Sequence, residues 1–251
     1  MAGHSQFKNI MHRKGAQDAK KGKIFTKIGR EIIAACKGGA PDPSTNPRLR
    51  AAIQWAREEN MPRDKVEAAI KRATGGLDSD NYEPIRYEAY GPGGAALIIN
   101  ALTDNRNRTA SDVRAAFGKF GGALGESGSV SFMFDYVGRI TYPLSVASEE
   151  KMFEAALEAG ADNCETGAEE HVVLCAADHF GAVRDALEKT FGQPASAKLT
   201  WLPKTSATPN EEQARALLKL IDVLEDHDDV QEVFTNAEIP DSIIKEMSDE
   251  R

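Results

Sequence analysis

Between residues 136 and 203 the chain reads strand, helix, strand, strand, helix, strand. The strands are "GRITYPL", "ADNCETG", "EHVVLCAA" and "AKLTWLPK". The helices are "SEEKMFEAALEAG", opened by Ser148, and "DHFGAVRDALEKTFG", opened by Asp178. This order is that of a ferredoxin-like unit and is complete in itself. Its completeness constrains the segments on either side. Upstream, "PIRYEAY" (84–90) and "AALIINALT" (95–103) have the pattern of strands, joined by the turn "GPGG". "RTASDVRAAFGKFGG" follows as a helix started by Thr109 with Asp112, and "VSFMF" (130–134) as a further strand. That set lacks a second helix. Downstream, "NEEQARALLKLIDVLED", capped by Asn210, and the strand "DVQEVFTNAEI" have no partners close by. Joining the two fragments makes a second α/β sandwich, with the complete unit inserted into it.

The first third has a different period. From Gln17 to Lys37, Ile24, Phe25, Ile28, Ile32 and Cys36 fall on one arc of a helix. "GG" at 38–39 stops it. Asn46-Pro47 caps and opens the next helix, "RLRAAIQWAREE". Asn60-Met61-Pro62 divides that helix from a third, whose inner face is Val66, Ala69, Ile70 and Ala73. The expected fold class is therefore α+β and multidomain. A three-helix domain (1–78) precedes two ferredoxin-like α/β domains, one (136–203) inserted in the other (79–135 with 204–251).

Charge is divided as unevenly as period. The chain carries net −8, yet residues 1–75 hold 16 Lys/Arg against 7 Asp/Glu, a net +9. In the first helix Lys20, Lys23, Lys27, Arg30 and Lys37 lie opposite the apolar arc, and Lys21 adds to the same cationic segment. Lys8, His12, Arg13 and Lys14 form a cationic arm before it. A face so poor in acids departs from the mixed-sign pattern of an ordinary solvated helix. It is expected to face outward and meet phosphates, with binding that falls steeply with salt. In "TDNRNRTASD" (103–112), Arg106 and Arg108 alternate with asparagines at a strand-to-helix junction. They form a second candidate nucleic-acid surface, or a loop whose Asn and Thr side chains satisfy the backbone.

Other chemistries find little support. "GGALGESGS" (121–129) lacks the Lys-Ser/Thr of a P-loop and opens no helix. The five histidines sit at no metal-ligand spacing, and "EDHDD" (225–229) reads as a solvated turn. No nucleophile, base and orienting acid can be named, so no enzymatic activity, cofactor or metal is expected. Cys36, Cys164 and Cys175 are odd in number and widely spaced, which suits a reducing compartment. No apolar run of membrane-spanning length occurs. A cytoplasmic protein without a membrane partner, monomeric or weakly oligomeric, is expected. Phe25 and Trp55 fit core faces, whereas Phe7 on the arm has no assigned role.

"AGHSQFKNIMHRKGAQDAKKGKIFTKIGREI" and "NPRLRAAIQWAREENMPRDKVEAAIKRATGG" resemble the YebC/PmpR family of transcriptional regulatory proteins. "YEAYGPGGAALIINALTDNRNRTASDVRAAFGKFGGALGESGSVSFMFD" resembles the same family's second signature. A mitochondrial relative is the translational activator of cytochrome oxidase. The resemblance implies three domains, the last inserted into the second, and no established catalysis. It implies a nucleic-acid-binding regulator of gene expression, acting on DNA in transcription or on ribosomal RNA at the ribosome. A reading from a different class is a protein-interaction module whose acidic domains receive a basic partner.

Overall fold

The helical period of the first third is realised as three helices: α1 (Gln17–Lys37), α2 (Pro47–Glu58) and α3 (Arg63–Thr74). The computed structural model describes residues 17–75 and 81–249, apart from the side chains of 17–20 and 248–249. After α3 the chain runs β1 (Glu83–Tyr90), β2 (Ala96–Thr103), α4 (Arg106–Lys119), β3 (Ala123–Leu124) and β4 (Phe134–Pro143). Next come α5 (Glu149–Glu158), β5 (Asn163–Thr166), β6 (Glu170–Ala176), α6 (Phe180–Phe191) and β7 (Ser196–Pro203). Helix α7 (Glu211–Asp226), strand β8 (Val230–Thr235) and helix α8 (Asp241–Asp249) complete it. The fold is α+β: three helices, then two four-stranded antiparallel sheets with helices. Asp135–Leu202 form one compact unit, and the residues on either side form another.

In the helical part, Ile28, Ile32 and Leu49 are fully buried, with Ala52 and Ala56 allowing close helix approach. Each such Ile or Leu contributes about 1.5–3 kcal/mol of burial free energy. Asn46 fixes the α1–α2 corner. Its Oδ1 accepts from Leu49 N at 3.0 Å, and its Nδ2 donates to the Ala35 and Ala40 carbonyls, each at 2.8 Å. One side chain thus caps one helix and ties down the end of another.

The first sheet has the order β3-β1-β2-β8. Ala89, Leu97 and Ile99 pack beneath Val113 and Phe117 of α4 and Leu217, Leu218, Ile221 and Leu224 of α7. Between β1 and β2, Gly93 adopts φ 74°, and a Cβ there would lie 2.8 Å from Pro209 Cβ. Both observations demand glycine. The second sheet, β5-β6-β4-β7, is the ferredoxin-like order. Ile140, Tyr142, Val173 and Cys175 face Met152, Ala156, Val183 and Leu187.

Four local expectations are corrected. Residues 130–134 are not a strand of the first sheet. Ser131–Met133 form a 3-10 turn, and β4 departs from Phe134 into the second sheet. The cause is buried Glu88, whose carboxylate accepts the N–H groups of Val130 and Ser131, each at 2.9 Å, and so bends the chain. The two-residue β3 pairs with Ala89 and Tyr90 instead. Helix α4 starts at Asn105, whose Oδ1 accepts from Arg108 N at 3.1 Å, rather than at Thr109, which is buried. Helix α6 starts after His179 and has no side-chain cap; Asp178 lies inside the preceding turn, in which His179 N–H donates to the Ala176 carbonyl at 3.0 Å. Finally, α8 lies beyond the last expected strand and buries Ile243, Ile244 and Met247 in the first core.

Candidate nucleic-acid interface

The basic face of α1 meets protein. Lys23 Nζ lies 3.0 Å from Asp226 Oδ2 and donates to the Asp226 carbonyl at 3.1 Å. Lys27 Nζ donates to the Glu225 carbonyl at 2.7 Å. Those carbonyls belong to the last turn of α7, which has no intrahelical donors for them and carries the negative end of the helix dipole. Two ammonium groups therefore close the C-terminus of α7. One turn further along α1, Arg30 pairs with Asp229 and stands 5.2 Å from the centre of the Tyr82 ring.

Asp229 is the point where the two candidate basic regions converge. Its side chain is 2% exposed. Arg30 donates to Oδ1, while Oδ2 receives Arg108 at 3.0 Å, Thr109 Oγ1 at 2.6 Å and Thr103 Oγ1 at 3.2 Å. Arg108 also reaches Asp104 at 2.7 Å. His227 supports the same turn. Its Nδ1 accepts the Asp229 N–H at 3.1 Å, which places the proton of the neutral ring on Nε2, 3.2 Å from Asp112 Oδ2. Burial pushes the Asp229 carboxyl up, but hydrogen bonds from Thr109, Arg108 and Arg30 outweigh it and hold it at about 2. The Lys27 pKa is also lowered, but there burial is the effect that wins. Burial lowers its ammonium pKa, and the nearby Glu225, Asp226 and Asp228 only partly offset this.

The Asp229 shift has a defined sign. A carboxyl depressed from 3.8 to about 2 stabilises the fold fully above pH 4. That stabilisation, about 2 kcal/mol, disappears as pH falls from about 4 through about 2. Urea melts at stepped acid pH are expected to show this loss in the native chain and a flatter profile in Asp229→Asn.

Lys27, 7% exposed, and Arg30 do not face outward as expected, and "EDHDD" is their receptor rather than a solvated turn. Arg108 is also committed inward, from the first turn of a helix rather than from a loop. Lys8, His12, Arg13 and Lys14 lie outside the described residues, as does the side chain of Lys20. Lys21 is exposed. Arg106 is 70% exposed and approaches Glu83 at 3.8 Å. Other exposed cations went unnoticed in the sequence: Arg57 and Lys71, like Lys21, have no ion pair among the described residues. Among the described residues no cluster of His, Cys, Asp and Glu could hold a metal ion, and no helix is long and apolar enough to cross a membrane.

Comparison with known proteins gives two family matches in tandem. Residues 5–76 match the TACO1/YebC protein N-terminal domain, and residues 82–237 match the TACO1/YebC second and third domain. The chain is also similar to a solved structure, the conserved hypothetical protein Aq1575 from Aquifex aeolicus. The two share 44% identity over 89% of this chain and 92% of that one, with a TM-score of 0.78.

Proposed function

Because the chain belongs to the TACO1/YebC family, we propose that it is a nucleic-acid-binding regulator of gene expression whose helical part holds the phosphate backbone. One observation carries this reading. With Lys23, Lys27 and Arg30 engaged internally, Lys21, Arg57 and Lys71 still stand exposed on all three helices without ion pairs among the described residues. An acidic chain that keeps unpaired cations on one small body concentrates its attraction for polyanions there. DNA, with control of transcription, is the first form of the reading. Ribosomal RNA is the second, and a surface of this kind suits it at least as well as a promoter. Lysine and arginine charges fixed on separate helices meet phosphates whatever the base, which suits a target recognised by its backbone.

The test is Lys21→Glu with Arg57→Glu and Lys71→Glu, titrated into labelled duplex DNA and a labelled ribosomal RNA fragment. All three positions are exposed, so the circular dichroism spectrum should be unchanged. Affinity at low salt should fall more than about 10-fold, and the dependence of log K on log salt should become shallower by about 3. Unchanged affinity and slope would remove the helical part as the interface. Cross-linking in cells separates the two forms: promoter DNA supports the first and ribosomal RNA the second.

A further inference from the structure

The inserted unit carries an apolar surface that the proposed function does not use. Helix α5 buries Met152 and Ala156 in the second core. On its outer side Phe153 and Leu157 are 52% and 67% exposed. Four residues apart, they are neighbours on one stripe of the helix. In the turn leading into α5, Leu144 and Val146 are also exposed, 38% and 37%. Scattered apolar residues are ordinary on a surface, but a phenylalanine and a leucine paired at helical spacing make a recognition stripe.

The surrounding charge says what the stripe receives. Glu149, Glu150, Glu154 and Glu158 are all exposed, and none has an ion pair among the described residues. Lys151 is the lone cation of the helix. Residues 135–202 as a whole hold 12 Asp/Glu against 5 Lys/Arg. Phosphate-bearing surfaces, nucleic acid and anionic lipid alike, are repelled by such a field. A cationic protein segment is attracted by it, and the central Phe153 and Leu157 need an apolar counterpart. We propose that the outer face of α5 docks a basic amphipathic helix of a partner protein, its apolar residues on Phe153 and Leu157 and its Lys/Arg among the four glutamates. The site requires no nucleic acid and belongs to a different compact unit of the chain from the proposed phosphate contacts.

The experiment titrates a fluorescein-labelled amphipathic helical peptide of leucine and lysine with the full-length protein, without nucleic acid, following anisotropy. Phe153→Ser with Leu157→Ser should weaken binding about 10-fold or more while lowering the thermal unfolding temperature only slightly, because more than half of each residue is already in water. Glu150→Lys with Glu154→Lys should weaken it comparably at low salt and reduce its salt dependence. A matching peptide of leucine and glutamate should not bind. Equal binding by the serine variant would reduce the attraction to bulk charge and overturn the proposal, as would no binding to the native chain. Concentration-dependent dimerisation in sedimentation equilibrium that the serine variant abolishes would also overturn it, by making a second copy the occupant.

Discussion

Asp229→Ala is expected to lower the free energy of unfolding by about 3–5 kcal/mol. The reasoning is one of orphaned partners. In the native chain this carboxylate takes hydrogen bonds from Arg30, Arg108, Thr109 and Thr103 in a site from which water is excluded. Alanine removes the acceptor and leaves every donor in place. Arg30, 15% exposed, then holds a guanidinium with no counter-charge on Asp229, and the buried hydroxyl of Thr109 keeps only its neighbours Thr103 and the Asn105 carbonyl. Arg108 loses less, since it retains Asp104 and is half exposed. Asp229→Asn keeps the shape and can still accept hydrogen bonds, so its cost should be nearer the range of a single charge-assisted bond, about 1.5–3 kcal/mol. Urea unfolding followed by far-ultraviolet circular dichroism measures both. A loss below about 1 kcal/mol for alanine would show that the cluster decorates the fold rather than holding it.

The second large effect separates charge from packing at Lys27. Lys27→Glu sets a carboxylate against the Glu225 carbonyl at the negative end of α7, with Asp226 and Asp228 nearby. A loss of about 3 kcal/mol or more is expected, because a buried charge then faces like charge with no donor. Lys27→Met keeps the length and apolar stem of the side chain and removes the desolvated ammonium. Its cost is expected to stay within about 1 kcal/mol. The contrast matters for any binding assay. Reversing Lys23 and Lys27 would weaken nucleic-acid binding by disturbing the fold, even if neither residue touched a phosphate. Denaturant melts of the two Lys27 variants decide it: equal losses would contradict the placement of Lys27 on the α7 terminus.

The apolar arc of α1 was legible because periodicity is a local property. Ile28 and Ile32 lie where a helix of that period must bury them. The opposite arc was legible only as a face. What covers it comes from the far end of the chain: Arg30 and Asp229 are 199 residues apart. An acid-poor face carries the same pattern whether its counter-charges are phosphates or a remote aspartate. Helix α4 shows a second limit. Asn105 and Thr109 are both competent caps, and only Thr109, with Asp112, has the spacing of a capping box. Tertiary structure chose Asn105, because Thr109 was needed beneath it to donate to Asp229. The bend at 131–133 had no local signal either, since its cause is a glutamate on β1. The inserted ferredoxin-like order was readable because every partner it needs lies inside one short window.

The placement of β8 has a consequence for how the chain acquires its shape. This strand pairs with β2, Leu97 opposite Thr235, and the entire unit Asp135–Leu202 is synthesised between them. The ends of that excursion are brought together where Lys204 N–H donates to the Met133 carbonyl at 2.8 Å. Pairings that close long loops form slowly, whereas those inside the excursion span short ones. During synthesis, therefore, the second unit is complete and able to fold while the first sheet still lacks its edge strand and the α7 turn that carries Asp229. Lys23, Lys27 and Arg30 are made about 200 residues before the groups that neutralise them. On the ribosome the nascent chain thus passes through a stage in which that cationic face is open.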